Sequence, residues 1–211
     1  MGIAIILLTV IIRLIFYPLF YKSFKNQALL QKIQPELEKI QKMHADDKEK
    51  QAGAMLELYK THKVNPFSSF FLILIQLPIL IALYQVFLNG FSNGSLDLIY
   101  DFVNKPAAIN HVFLGLIDLS KKSILIVALA AIFQYIQGIL SMPKKKDGEP
   151  ESQQRSIARK MAYIGPVLTV VVLSNLPAAV GLYWLTSSVF SVGQQWIINK
   201  TINQENNKLV N

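Results

Sequence analysis

Cysteine is absent from the chain, and histidine is scarce. Without cysteine the protein has no disulfide bond and no thiolate metal ligand. The three histidines, His44, His62 and His111, show no spacing typical of metal ligands. Motifs of metalloproteases, serine hydrolases and phosphate-binding loops are also missing, so no residues for covalent catalysis can be named. The sequence predicts a protein that is not an enzyme and that needs neither a metal nor a cofactor.

Charged residues are few and unevenly distributed. They make up 16% of the 211 residues, whereas hydrophobic residues make up 52%, and the mean hydropathy is +0.36. Residues 64–96, 123–143 and 161–199 carry no charge, and residues 1–21 carry only Arg13. Soluble domains place charges every few residues, while charge-free apolar runs of this length are typical of transmembrane helices. The composition therefore indicates an integral membrane protein.

The apolar runs predict an all-α fold with five transmembrane helices. About 20 helical residues are enough to cross a hydrocarbon core of about 30 Å. We interpret the first run as a retained span and not as a signal peptide, because its charge is internal and Lys22 and Lys25 follow it. The predicted spans cover residues 1–21, 65–88, 123–142, 158–174 and 177–199.

The segments between the spans carry most of the charge. Residues 22–64 hold nine Lys and six Asp or Glu, with an apolar residue every three or four positions. This pattern predicts a helical hairpin that turns near Asp47 and is broken or kinked at Pro35. The remaining predicted segments are an extracellular loop, a cytosolic loop and a frayed cytosolic tail, at residues 89–122, 143–157 and 200–211.

The net charge of +8 is better explained by membrane topology than by binding to a nucleic acid, because the charged residues are concentrated beside the spans. Cytosolic loops of membrane proteins are enriched in Lys and Arg. Residues 22–64, residues 143–157 and the C-terminus fall on one side of a five-span arrangement. We therefore predict that this side is cytosolic and that the N-terminus lies outside.

Arg13 lies near the middle of the first predicted span, about 13 Å along the helix from Lys22. A central Arg costs about 2.5 to 3.5 kcal/mol on insertion scales, so it should face protein or water. No Asp or Glu lies in any predicted span to pair with it, which favours a hydrated interior cavity. Two alternatives are a structural Arg bonded to backbone carbonyls and a side chain that snorkels to the interface.

Polar residues in the other spans predict the walls of this cavity. Thr9 shares the helix face of Arg13, and Gln134 and Gln137 share one face of the third span. A single polar residue in a span more often makes a helix-to-helix hydrogen bond, but several of them together with an unpaired Arg favour a binding cavity. The fifth span presents a broad polar face with Trp184, Ser187, Ser188, Ser191 and Gln195. The candidate site residues are Arg13, Thr9, Gln76, Gln134, Gln137, Trp184 and Ser187.

Several short motifs occur in a fixed order along nearly the whole chain. They are Ile12-Arg13-Leu14-Ile15-Phe16-Tyr17-Pro18-Leu19, Ile33-Gln34-Pro35-Glu36-Leu37, Tyr59-Lys60, Asn65-Pro66, Gln76-Leu77-Pro78-Ile79, Ala82-Leu83-Tyr84, Leu114-Gly115-Leu116-Ile117-Asp118-Leu119 and Leu176-Pro177-Ala178-Ala179-Val180-Gly181-Leu182-Tyr183-Trp184. Each motif alone is weak evidence, but in this order they resemble the YidC-type insertase family of bacterial plasma membranes, which has related forms in mitochondria and chloroplasts.

The resemblance implies five helices around a hydrophilic groove that is open to the cytosol and to lipid, with Arg13 at its centre. Thr9, Gln76, Gln137, Trp184 and Ser187 match polar or substrate-contacting positions of that family, whereas Gln134 is added from helix geometry. The chain lacks the large periplasmic domain of Gram-negative members and has a short basic tail, so dependence on the ribosome stays open.

The implied function is a membrane protein insertase and chaperone in the bacterial plasma membrane, acting without nucleotide hydrolysis. Its implied partners are nascent membrane proteins and membrane lipids, and the protein is expected to function as a monomer. Participation of a Sec-type channel, a ribosome or the signal-recognition machinery is left open. The alternatives are a small transporter or channel with Arg13 as an anion site, and a structural assembly partner that would tolerate changes at Arg13.

Overall fold

A computed structural model of the chain describes residues 1–90, 110–142 and 153–210. The described part of the chain is mostly helical. The helices are α1 (Gly2–Ile15), α2 (Tyr17–Lys32), α3 (Gln34–Met43), α4 (Lys48–Thr61), α5 (Ser68–Gly90), α6 (Ile124–Leu140), α7 (Gln153–Leu173) and α8 (Ala178–Val210). Strands β1 (Val112–Phe113) and β2 (Ile117–Asp118) pair antiparallel in a short hairpin. Most of the predicted extracellular loop, residues 91–109, and residues 143–152 of the predicted cytosolic loop lie outside the described residues.

Within the described ranges, no individual helix combines the length and the apolar character needed to cross a membrane. Helices α1 and α2 satisfy that test only when taken together, and they meet at an angle of 67°. The division of the chain into five spans therefore stays a prediction.

The bend between α1 and α2 lies at Phe16 and follows from Pro18, which occupies the first turn of α2. Proline lacks the N–H that would continue the helical ladder, and its ring clashes with the carbonyl four residues earlier. The predicted first segment, 1–21, is accordingly not one straight helix, and α2 runs through its boundary to Lys32. A second break falls at Ile33, with Pro35 in the first turn of α3, as the sequence predicts.

Helix α8 is the centre of the fold. It packs most extensively against α6, then against α1 and α2, and less against α5 and α7. Gly181 allows the close approach to α6, because a Cβ at this position would lie 2.8 Å from the side chain of Ile126. The segment 200–211, expected to be frayed, continues α8 as a helix to Val210.

Two clusters of buried apolar residues lie along α8, where it packs against α1 and α2. The larger cluster lies where α1, α6 and α8 begin, and it includes Ile5, Ile126 and Val180. The second consists of Phe20, Phe24, Ala28 and Ile198, from α2 and α8. The cavity described below lies between these clusters.

Helices α3 and α4 pack against each other away from this bundle, over a small cluster of Ile33, Leu37 and Val64. Asp47 caps α4, because its carboxylate accepts a hydrogen bond of 3.0 Å from the backbone N–H of Lys50. The same hydrogen bond lowers the pKa of Asp47. Since a carboxylate with a lowered pKa stabilises the fold only while ionised, this cap is kept at neutral pH and lost as the pH falls through the folded-state pKa.

The connection between α4 and α5 is clamped to α2 by Asn26. Its amide nitrogen donates to the carbonyl of Asn65 and, at 2.6 Å, to the hydroxyl of Ser68. Its amide oxygen accepts from the backbone N–H of Asn65 at 2.9 Å, and the hydroxyl of Ser23 donates to the Ser68 carbonyl at 3.0 Å. These bonds fix the start of α5, and therefore its cavity-facing residues, relative to α2.

We predict that Asn26→Ala loosens this connection. Loss of three partly exposed hydrogen bonds should destabilise it by about 1 to 2 kcal/mol, which is about a 5- to 30-fold change in local opening. Trypsin should then cleave faster after Lys63, an exposed residue with a φ of 51° in the same connection. The matched control is Gln27→Ala, which also replaces an amide side chain on α2 by Ala. Equal cleavage rates for the two variants would contradict the clamp.

Candidate functional site

A partly open cavity of about 240 Å³ lies between α1, α2, α5, α6 and α8. Polar and apolar side chains both contribute to its wall. Its lining residues are Arg13, Phe20, Phe24, Gln76, Leu77, Leu80, Gln134, Gln137, Trp184, Ser187, Ser188 and Ser191. Six of the seven residues predicted from the sequence are therefore brought together at one cavity.

Arg13 is the only charged residue among these lining residues, and it is 7% exposed. It lies in the last turn of α1, where the carbonyl end of the helix favours a positive charge. The bend at Phe16 places the ring of Phe20 beneath the guanidinium, with 4.3 Å between Cζ and the ring centroid. Within the described residues, Arg13 Nη1 is buried and has no hydrogen-bond partner. The geometry therefore leaves a buried positive donor at the cavity wall.

Three of the predicted polar residues also connect helices. Gln76 on α5 donates to the hydroxyl of Tyr183 on α8. The side-chain oxygen of Gln134 on α6 accepts from the indole nitrogen of Trp184 on α8 at 3.2 Å and from the hydroxyl of Thr169 on α7. These bonds hold the walls of the cavity at a fixed separation.

The polar side of α8 follows from helical spacing. Trp184, Ser187, Ser188 and Ser191 follow the i, i+3, i+4, i+7 pattern, so they share one face of the helix, and all four line the cavity. Gln195, the last residue of the predicted face, is buried but is not among the lining residues, and its amide nitrogen donates to Asn199 at 3.1 Å.

Thr9 is the one predicted residue that does not line the cavity. It is 1% exposed, and its hydroxyl donates to the carbonyl of Ile5 at 2.6 Å. Helical spacing places it on the face of Arg13, but one turn closer to the start of α1, where the larger apolar cluster begins. A Thr that bonds its own helix in this way is satisfied without a ligand.

The sequence interpretation missed the apolar part of the wall, namely Phe20, Phe24, Leu77 and Leu80. Phe20 and Phe24 lie beyond the bend, so a straight first span gives no reason to place them beside Arg13. Pro18 is the signal that could have found them, because a helix restarted at Pro18 carries Phe20 and Phe24 on one face.

The cavity wall offers groups that bind by charge, by hydrogen bonding and by apolar contact. It presents one cation, amide and hydroxyl groups and an apolar flank, with no carboxylate or imidazole among the lining residues. In the described parts of the chain, His, Asp and Glu do not cluster in threes as a metal site requires.

Comparisons with known proteins match nearly the whole chain to one family. Residues 1–206 match the family described as 60Kd inner membrane protein. The chain is 36% identical over 203 residues to the membrane protein insertase YidC of Nitratidesulfovibrio vulgaris strain DP4, covering 93% of this chain and 34% of that protein. It is 35% identical over 206 residues to the YidC of Clostridium tetani, covering 97% of this chain and 83% of that protein.

A third relative, the YidC of Geobacter sulfurreducens, is 33% identical over 201 residues, covering 95% of this chain and 34% of that protein. The chain thus spans about a third of the length of several curated relatives and most of the length of the clostridial one. Since the family match extends over nearly the whole sequence and includes every cavity-lining residue, the chain belongs to the 60Kd inner membrane protein family, to which YidC-type insertases belong.

Proposed function

We propose that this protein is a membrane protein insertase of a bacterial inner membrane, and that newly made membrane proteins are its substrates. The observation that carries the proposal is Arg13, a buried cation with an unpartnered Nη1 at a partly open cavity. Relatives named as membrane protein insertases support the same activity. The cavity corresponds in this proposal to a hydrophilic groove that receives the polar part of a substrate.

The physical advantage of such a cavity is a shorter dry path. A polar segment that crosses a bilayer loses its hydration, and each unsatisfied backbone group in hydrocarbon costs several kcal/mol. The hydroxyls of Ser187, Ser188 and Ser191 and the amide of Gln137 offer replacement hydrogen bonds part of the way across. The substrate then crosses only the remaining apolar layer.

Arg13 supplies the electrostatic part of the mechanism. Attraction between unlike charges is several times stronger at the effective dielectric of a partly buried site than in bulk water. No lining residue carries a negative charge that would neutralise Arg13, so the guanidinium attracts acidic groups of the substrate's translocated segment. Contact with Phe20 keeps the guanidinium at the wall without removing its charge.

The apolar side of the cavity provides the exit. Phe24, Leu77 and Leu80 form an apolar flank, and Leu77 is 47% exposed. A substrate helix that contacts this flank transfers its apolar side chains into lipid, at about 25 cal/mol per Å² of buried area. This transfer drives insertion, so nucleotide hydrolysis is not required. The same surface acts as a chaperone when it covers a substrate helix until that helix has folded.

We further propose that α1, α5, α6, α7 and α8 are the membrane-spanning helices, with the N-terminus outside and the C-terminus in the cytosol. The α3–α4 pair is then a cytosolic arm on which nascent chains dock. Sec-type channels, ribosomes and signal-recognition proteins are partners that this arrangement can accommodate, and a monomer contains the complete cavity.

Arg13→Lys should retain insertion, whereas Arg13→Ala should lose it. Lys keeps the positive charge and loses only the planar bidentate fork, so the comparison separates charge from shape. The reporter is a single-span protein with Asp or Glu in its translocated segment. Its insertion rate should be about tenfold lower, or lower still, with Arg13→Ala than with the wild-type protein. The measurement is complementation of insertase-depleted cells with such reporters.

The matched control is a reporter whose acidic residues are replaced by Asn and Gln. Arg13→Ala should lower the insertion rate of this control reporter much less. Arg13→Ala must accumulate to the wild-type level in the membrane for the comparison to count. Wild-type insertion of the acidic reporter by this variant would refute the electrostatic mechanism. Anion flux through reconstituted protein, abolished by Arg13→Ala, would instead favour a transporter or channel.

Photo-crosslinkers at Trp184 and Gln76 should capture nascent membrane proteins during insertion, because both residues line the cavity. Val171 on α7, which is 58% exposed and is not a lining residue, is the control position. Capture at all three sites with equal yield would show that substrates contact the protein without a defined path.

A further inference from the structure

The β1–β2 hairpin exposes two large apolar side chains at its tip. Leu114 is 75% exposed and Leu116 is 87% exposed, and only Gly115 separates them. The hairpin lies at the end of the bundle where α1, α6 and α8 begin, because it precedes α6 directly and contacts the first residues of α1 and α8. The cavity does not use these residues, so the tip calls for a different explanation.

The hairpin is held rigidly against the bundle. Leu119, just after β2, is fully buried, and the backbone N–H of Ala179 donates to its carbonyl at 3.0 Å. Phe113 packs against Gly2 so closely that a Cβ on Gly2 would lie 2.1 Å from the ring. The position of the tip relative to α1 and α8 is therefore set by the core.

The backbone of the tip makes the presence of leucine more unusual. Leu114 has a φ of 53°, in the left-handed region where Gly, Asn and Asp are favoured. A leucine in this conformation is strained, because its Cβ lies too close to the neighbouring carbonyl oxygen. An exposed leucine in water gains nothing in return, so the residue is better explained by an apolar environment outside the chain.

The surroundings of the tip identify that environment as lipid. Ile124 and Leu125, in the first turn of α6, are 86% and 58% exposed, and Ile3 on α1 is 67% exposed. Exposed apolar residues of the tip thus lie at the same end of the protein as exposed apolar residues of α1 and α6. Lys121 and Lys122, between β2 and α6, are exposed at the same end, and a lysine can lay its apolar stem along such a surface while its ammonium group reaches the headgroup level.

We propose that the β1–β2 hairpin is a membrane-interface anchor, with Leu114 and Leu116 inserted at the boundary between headgroups and acyl chains. Under the proposed topology this is the outer leaflet. Arg13 lies about 17 Å along α1 from Gly2, roughly half of a hydrocarbon core of about 30 Å. A fixed anchor at this end would hold the cavity near the middle of the membrane. The inference depends on membrane residence and not on the proposed insertase activity.

The absence of cysteine allows a direct test with single labels. The environment-sensitive fluorophore NBD is attached to the cysteine of Leu116→Cys. The labelled protein is then reconstituted in nanodiscs of phosphatidylcholine and phosphatidylglycerol. Quenching is measured with aqueous iodide and with lipids that carry a nitroxide near the headgroup end of the acyl chain. Gly53→Cys on α4, where an added Cβ would meet nothing within 4 Å, is the water-exposed control.

We expect the label at position 116 to emit at shorter wavelength than the label at position 53, to be quenched by the nitroxide lipid and to be protected from iodide. Iodide quenching equal to that at position 53, without nitroxide quenching, would place the tip in water and overturn the proposal. Protection from both quenchers would also overturn it, because a protein segment would then cover the tip.

Leu114→Asn separates anchoring from folding. Asn tolerates a positive φ, so this variant keeps or stabilises the turn while removing an apolar side chain. We expect nitroxide quenching at position 116 to fall and iodide quenching to rise. Unchanged quenching in Leu114→Asn would show that the depth of the tip in the membrane does not depend on Leu114, which would contradict an anchoring role for this residue.

Discussion

The positive charge of Arg13 is the constraint on which the surrounding structure depends, because a charge among apolar helices is stable only if its environment replaces water. The carbonyl end of α1 and the ring of Phe20 supply part of that replacement. A neighbouring carboxylate would supply the rest, but no cavity-lining residue is acidic. In our account water and substrate groups complete the solvation, so the cavity and the charge require each other.

A cavity of this kind has to resist collapse, since apolar helices otherwise close until their side chains interdigitate. The bend at Phe16 turns α2 away from the direction of α1 and brings Phe20 and Phe24 to the wall. Gln134 joins α6 to both α7 and α8, and Gln76 joins α5 to α8. The hydrogen bonds that hold the walls apart therefore come from residues that also face the cavity, and binding and packing use the same side chains.

Much of the site could be predicted because periodicity and charge act locally. Helical spacing places Trp184, Ser187 and Ser188 on one face, and the absence of acidic residues from the apolar runs is visible without a structure. The course of the first apolar run could not be predicted from hydropathy, which does not register the geometric effect of Pro18. Thr9 was assigned to the cavity because helical spacing shows which residues share a helix face. It does not show which neighbouring element each of those residues contacts. The β1–β2 hairpin and its exposed tip could not be predicted either, because two-residue strands leave almost no periodic pattern in the sequence.

Water must fill the cavity if Arg13 is to stay charged there, and the reactivity of cysteines at two adjacent positions reports whether it does. Gln137 lines the cavity, whereas Ile136 is 37% exposed and is not a lining residue, and the two differ in depth by only about 1.5 Å. Gln137→Cys and Ile136→Cys can be treated with a membrane-impermeant maleimide in inside-out vesicles, in which the proposed cytosolic side faces the reagent. The reaction requires water at the thiol. We expect rapid labelling of the cysteine at position 137 and very slow labelling at position 136. Equally slow labelling at both positions would contradict a water-filled cavity around Arg13.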